Sequence, residues 1–88
     1  MKLILAIVRA DAVDPVSRAL VDQRYSVTQI SSVGGFLRRG STTLVVGVDE
    51  GQVDSVMTLI RNACKSLNNT ESHPATIFVL NASQYIQM

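Results

Sequence analysis

Residues 42–64 read TTLVVGVDEGQVDSVMTLIRNAC, and two different periods meet inside them. Thr42 to Val48 is a β-branched run of strand length, and Gly47 within it marks either a bulge or a close approach of a ligand or of other backbone. Asp49 then supplies an N-cap, and Gln52, three residues on, can reach back to complete a capping box. Val53, Val56, Met57, Ile60, Cys64 and Leu67 follow at helical spacing, with Arg61 and Lys65 placing positive charge near the favoured carboxyl end. A strand therefore runs straight into an amphipathic helix.

Working outward, Leu3 to Val8 is an uninterrupted apolar run suited to a central strand. Asp14 followed by Pro15 predicts a helix start, and Val16, Ala19 and Leu20 give that helix one apolar face as far as about Arg24. Val27 to Val33 mixes branched residues with Ser and Thr, as a partly exposed strand does. Ser66 to Pro74 reads as a loop, Ala75 to Leu80 as a last strand, and Asn81 to Met88 as a short tail.

The order is β-α-β-β-α-β, which predicts an α+β sandwich with both helices on one side of a four-stranded antiparallel sheet. One sheet face is left uncovered. Three copies packing their sheets around a common axis would cover it and leave clefts between neighbours; a dimer is the other physical solution.

Composition narrows the function. The 88 residues suffice for a single domain, 1–88, and carry 47% hydrophobic but only 17% charged side chains, a balance that suits burial against a partner subunit. A net charge of +1, with Arg38-Arg39 as the one adjacent basic pair, is too little for a nucleic-acid footprint. The opening apolar run is too short to span a membrane and is stopped by Arg9, which suits a buried strand better than a signal peptide. The lone Cys64 has no disulfide partner in the chain, which fits a reducing, cytoplasmic setting.

Catalytic chemistry finds little support. Asp11 with Asp14, and Asp49 with Glu50, are better used at helix starts than as paired acids. His73 has no ligand cluster beside it, Cys64 sits in an apolar helical stripe, and Ser31, Ser32 and Ser41 have no evident base. The expectation is a non-enzymatic protein with no metal and no resident cofactor.

The remaining chemistry is concentrated in residues 31–43, SSVGGFLRRGSTT. Gly34 and Gly35 let backbone amides approach an anion, Arg38 and Arg39 can neutralise phosphate, and Phe36 can stack on a base. The same residues also make an ordinary hairpin connection, with solvated arginines and Phe36-Leu37 closing a core or an interface. Neither a Walker loop nor a dinucleotide fingerprint is present.

The run Gly34-Gly35-Phe36-Leu37-Arg38, followed by Gly40-Ser41-Thr42-Thr43, resembles the PII-like cyclic-di-AMP receptor family. So do the Met1 to Val8 strand and the closing Ala75 to Leu80. The resemblance implies a ferredoxin-like fold, a homotrimer, and cyclic di-AMP or a related nucleotide bound in clefts between subunits. It implies signal transduction rather than catalysis, with occupancy relayed through the glycine-rich loop to an unidentified protein partner.

By that resemblance Thr28 lies near the base, Gly35, Phe36 and Leu37 form the loop wall, and main chain approaches the ligand at Gly47. Phe78 and Gln87 would complete the pocket. Where the family commonly carries Asn, Arg and Asn, this chain has Arg24, Ser26 and Ser41, so its polar contacts to ligand differ and Arg24 stands in for the charge lost at Ser26. The long insertion that the family often carries before the last strand is replaced here by the short Ser66 to Pro74 segment. A divergent homotrimer that has lost cyclic-di-AMP binding is the alternative.

Overall fold

Alternation along the first strand sets the layers. In β1 (Lys2–Arg9), Ile4, Ala6 and Val8 are fully buried while Leu3, Leu5 and Ile7 are half-buried, so one face carries the core and the other does not. The computed structural model describes residues 1–31, 41–65, 67 and 74–83. Within them β1 is followed by a 3-10 turn at Ala10–Ala12, α1 (Val13–Asp22), β2 (Val27–Ser31), β3 (Ser41–Val48), a second 3-10 turn at Glu50–Gln52, α2 (Val53–Cys64) and β4 (Ala75–Asn81).

The strands pair antiparallel in the order β2-β3-β1-β4. Leu5 lies opposite both Val45 and Phe78, and Val45 in turn lies opposite Thr28. Since side chains alternate, Thr28, Val45, Leu5 and Phe78 form one row across the face away from the helices. The helix-side face of β1 and β3 buries Ile4, Ala6, Val8, Leu44, Val46 and Val48 against Val16 and Leu20 of α1 and Val56 and Ile60 of α2. Each such branched side chain stabilises the fold by about 1.5–3 kcal/mol relative to leaving it exposed. This is the two-layer sandwich expected from the element order, in the ferredoxin-like, PII-like arrangement that the resemblance implies.

The helix starts divide. Asp49 and Gln52 form the anticipated capping box, at the 3-10 turn that leads into α2, with the Asp49 N–H donating to Gln52 Oε1 at 3.0 Å. Asp14, in contrast, is not the cap of α1: the chain enters that helix through the 3-10 turn, Ala12 holds the N-cap position, and Asp14 and Pro15 lie inside the first turn. The preceding turn already supplies a helical entry, so Asp14 serves there as a first-turn acid favoured by the helix dipole.

α1 ends without a glycine. The Tyr25 N–H donates to the Leu20 carbonyl at 3.0 Å and the Arg24 N–H to the Val21 carbonyl at 2.9 Å, the pair of bonds of a Schellman motif. Arg24 occupies its left-handed position with φ 69°, alone among the described non-glycine residues. Tyr25 turns back against the core, as the residue after such a cap does.

Among the described residues no element covers the helix-free face. Ile30 is 50% exposed, Phe78 50% and Leu80 45%, beside the half-buried Leu3, Leu5, Ile7 and Val45.

Candidate functional site

β1 and β2 begin, and β3 ends, at the same edge of the sheet: Lys2 lies opposite Val48, and Val27 opposite Val46. A cleft of about 360 Å³ opens there, lined by Met1, Leu3, Arg24, Tyr25, Ser26, Thr28, Val45, Gly47 and Gln52. Four of the residues singled out in the sequence, Arg24, Ser26, Thr28 and Gly47, are thus brought together although they come from a helix end and two different strands.

Each is positioned for a local reason. Arg24 is placed by the α1 Schellman turn, Ser26 lies just before β2, and Thr28 is on the face of β2 that points away from the helices. Gly47 faces the same way, opposite Leu3, and the space a Cβ would fill there ends 2.8 Å from the terminal methyl of Met1. Main chain is therefore open to the cleft at Gly47, with only the end of a flexible side chain beside it.

The cleft is a donor-rich environment. Arg24 is the charged side chain among its lining residues, which include no carboxylate. Ser26, Thr28 and Tyr25 add hydroxyl groups, Gln52 an amide, and Met1, Leu3 and Val45 apolar wall. An acceptor-bearing anion with an apolar portion suits such a lining.

Other sequence candidates lie elsewhere. Phe78 is on the same sheet face but three strands from Thr28, about 14 Å at the usual strand spacing. Ser41 is also on that face, opposite Arg9, four residues along β3 from Val45 and so about 14 Å from it. Gly35, Phe36 and Leu37, with the rest of the glycine-rich segment, and Gln87 in the tail lie outside the described residues. Met1, Leu3, Tyr25, Val45 and Gln52 line the cleft without having been singled out as site residues. For Gln52 the sequence signal was present but pointed to its capping role.

Two further clefts differ in chemistry. One of about 430 Å³, between the end of α1 and α2, includes the Asp54 carboxylate with Gln23, Tyr25, Ser55, Thr58 and Leu59. The other, about 310 Å³, lies between α2 and β4, where Arg61, Lys65 and Cys64 border Met57, Ile60 and Ile77. Burial raises the Cys64 thiol pKa above its ordinary value, partly opposed by the nearby positive Arg9. A raised thiol pKa leaves little thiolate, against a nucleophilic role.

At the far end of β1, Arg9 Nε and Nη2 donate to the Asp11 carboxylate at 2.7 and 2.9 Å. This bidentate bond holds the Asp11 pKa below its ordinary value and raises that of Arg9. The pair clamps the exit from β1, where the Arg9 N–H also donates to the Pro74 carbonyl at 2.8 Å. Among the described residues no group of three metal-ligating side chains occurs, and no helix is long and apolar enough to cross a membrane.

The fold has a close counterpart among solved structures. A crystal structure of a functionally unknown protein from Pediococcus pentosaceus ATCC 25745 superimposes with a TM-score of 0.80 at 29% sequence identity, over 99% of this chain and 96% of that one. The sequence model of the family described as cyclic-di-AMP receptor matches residues 1–88, the whole chain, and the chain therefore belongs to that family.

Proposed function

We propose that this protein is a non-enzymatic receptor that binds cyclic di-AMP, or a closely related nucleotide, in clefts between the subunits of a homotrimer. Membership of a cyclic-di-AMP receptor family gives it a receptor role in signalling. The single observation that carries the finer reading is the separation of two half-sites on one sheet face. Arg24, Ser26, Thr28 and Gly47 share a cleft, whereas Phe78 stands exposed three strands away. One subunit cannot apply both to a single small ligand, but a neighbour packed through the open face can supply its Phe78 to the cleft.

In this reading Arg24 supplies the cation for phosphate, Ser26 and Thr28 donate hydroxyl hydrogen bonds, and the open backbone at Gly47 admits the ligand close to β3. Phe78 contributes an apolar face for the base. Gly35, Phe36 and Leu37, together with Gln87, complete the wall, and ordering of the glycine-rich loop on occupancy changes the surface offered to a protein partner in the cytoplasm. Ser41, outside the cleft, acts from the start of β3 rather than beside Thr28.

Calorimetric titration of the full chain with cyclic di-AMP, alongside its mass in solution, tests the proposal. Saturation at one ligand per subunit of a trimer is the expected result. A trimer that takes up no cyclic dinucleotide would instead identify the divergent interaction protein, a reading favoured by the replacement of the family's Asn, Arg and Asn by Arg24, Ser26 and Ser41.

A further inference from the structure

Gln52 enters the cleft with its chemistry already half committed. The Asp49 backbone N–H donates to Gln52 Oε1 at 3.0 Å, closing the capping box of the 3-10 turn that leads into α2. Only the carbonyl oxygen of a side-chain amide can accept from an N–H, so the hydrogen bond fixes which end of the amide is which. The oxygen is held by the cap, and the NH₂ group, with two donors and no acceptor capacity, is the part left for other partners.

The same side chain lines the cleft with Arg24, Ser26, Thr28 and Gly47, among lining residues that include no carboxylate to receive those donors. We infer that Gln52 is a ligand-contacting residue, its Nε2 donating to a hydrogen-bond acceptor of the bound nucleotide while its Oε1 keeps the helix capped. The inference rests on the reading of this cleft as a nucleotide site, and it adds a contact outside the loop, the strands and the tail. It also links occupancy to the start of α2: a ligand that pulls on the amide pulls on the residue that closes the Asp49 cap.

The two roles separate in substitution. Gln52→Glu retains a capping oxygen at the same position, because Glu completes the same box, but it replaces the donor with a second acceptor. Gln52→Ala removes both cap and donor. Each variant is titrated with cyclic di-AMP beside the unaltered full chain at about 0.5 M salt, where a screening length of about 4 Å suppresses effects of the new charge beyond direct contact. Thermal midpoints are recorded in parallel.

Gln52→Glu is expected to weaken binding by about tenfold or more with a melting midpoint close to that of the unaltered protein. Gln52→Ala is expected to lose binding to a similar degree and to melt earlier as well. Binding of cyclic di-AMP by Gln52→Glu within about twofold of the unaltered chain would overturn the inference while leaving the receptor reading intact. Failure of the unaltered chain to bind the dinucleotide would overturn both.

Discussion

Arg24 holds a backbone conformation that a glycine adopts without strain, and it does so at the mouth of the cleft. The left-handed region costs a residue with a Cβ about 1 kcal/mol or more, a cost that an ordinary helix end avoids by placing glycine at this position. Arg24→Gly is therefore expected to raise stability by about 1 kcal/mol in urea denaturation while weakening nucleotide binding by tenfold or more, about the value of a hydrogen bond to a charged group. A variant that gained stability and kept its affinity would remove Arg24 from the site. Gly47 gives the complementary experiment. It lies within β3, and an added methyl would meet only the mobile end of Met1 at 2.8 Å, so Gly47→Ala is expected to fold with unchanged or slightly higher stability. The methyl would nevertheless stand between backbone and ligand, and a loss of affinity without a loss of stability, read by titration and thermal melting together, is the expected pattern.

The elements explain which of these features a reader of the sequence can find. β1, β3 and α2 are legible because each carries one unbroken period: branched residues in Leu3 to Val8 and Thr42 to Val48, and the Val53, Val56, Met57, Ile60 stripe after a capping box. The entry to α1 is not, because Asp14-Pro15 has the composition of a cap but the chain has already begun to coil at Ala10. The end of α1 near Arg24 is legible, but its form is not, since nothing in Gln23-Arg24-Tyr25 announces a left-handed turn without glycine. Gly47 is marked by its own chemistry as a bulge or close approach, but Arg24, Ser26 and Thr28 are legible as its neighbours only by family resemblance, because their meeting depends on strand register and not on sequence spacing. At the β1 exit, the Arg9 hydrogen bonds lower the Asp11 pKa from its ordinary 3.8. A depressed carboxyl contributes stability above its unfolded pKa, and that contribution is lost as pH falls through the folded value. Asp11→Asn is thus expected to flatten the dependence of the urea midpoint on pH below about pH 4 and to leave it unchanged at higher pH. The change is small because both side chains are exposed to solvent screening. An undiminished acid slope in the variant would assign the acid sensitivity to other carboxylates.

At the scale of the whole molecule, the proposed function makes the open sheet face the link between assembly and ligand binding. Leu5 sits at its middle, between Val45 and Phe78 in the row that begins at Thr28. Being half-buried in one subunit and flanked by apolar neighbours, it has no water-filled outlet for a charge once a second sheet packs over it. Leu5→Lys leaves the helix-side core of Ile4, Ala6 and Val8 untouched, so the subunit is expected to keep its secondary structure. Its charged head would have to be buried unpaired in a trimer, a penalty of several kcal/mol repeated in three subunits, and the variant is expected to sediment as a monomer. If the ligand site is shared between subunits, that monomer loses cyclic-di-AMP binding even though Arg24, Thr28, Gly47 and Gln52 are all still present. A folded monomer that binds as tightly as the unaltered protein would place the whole site within one chain and separate Phe78 from it. A variant that remains trimeric would show that the subunits meet elsewhere than on this face.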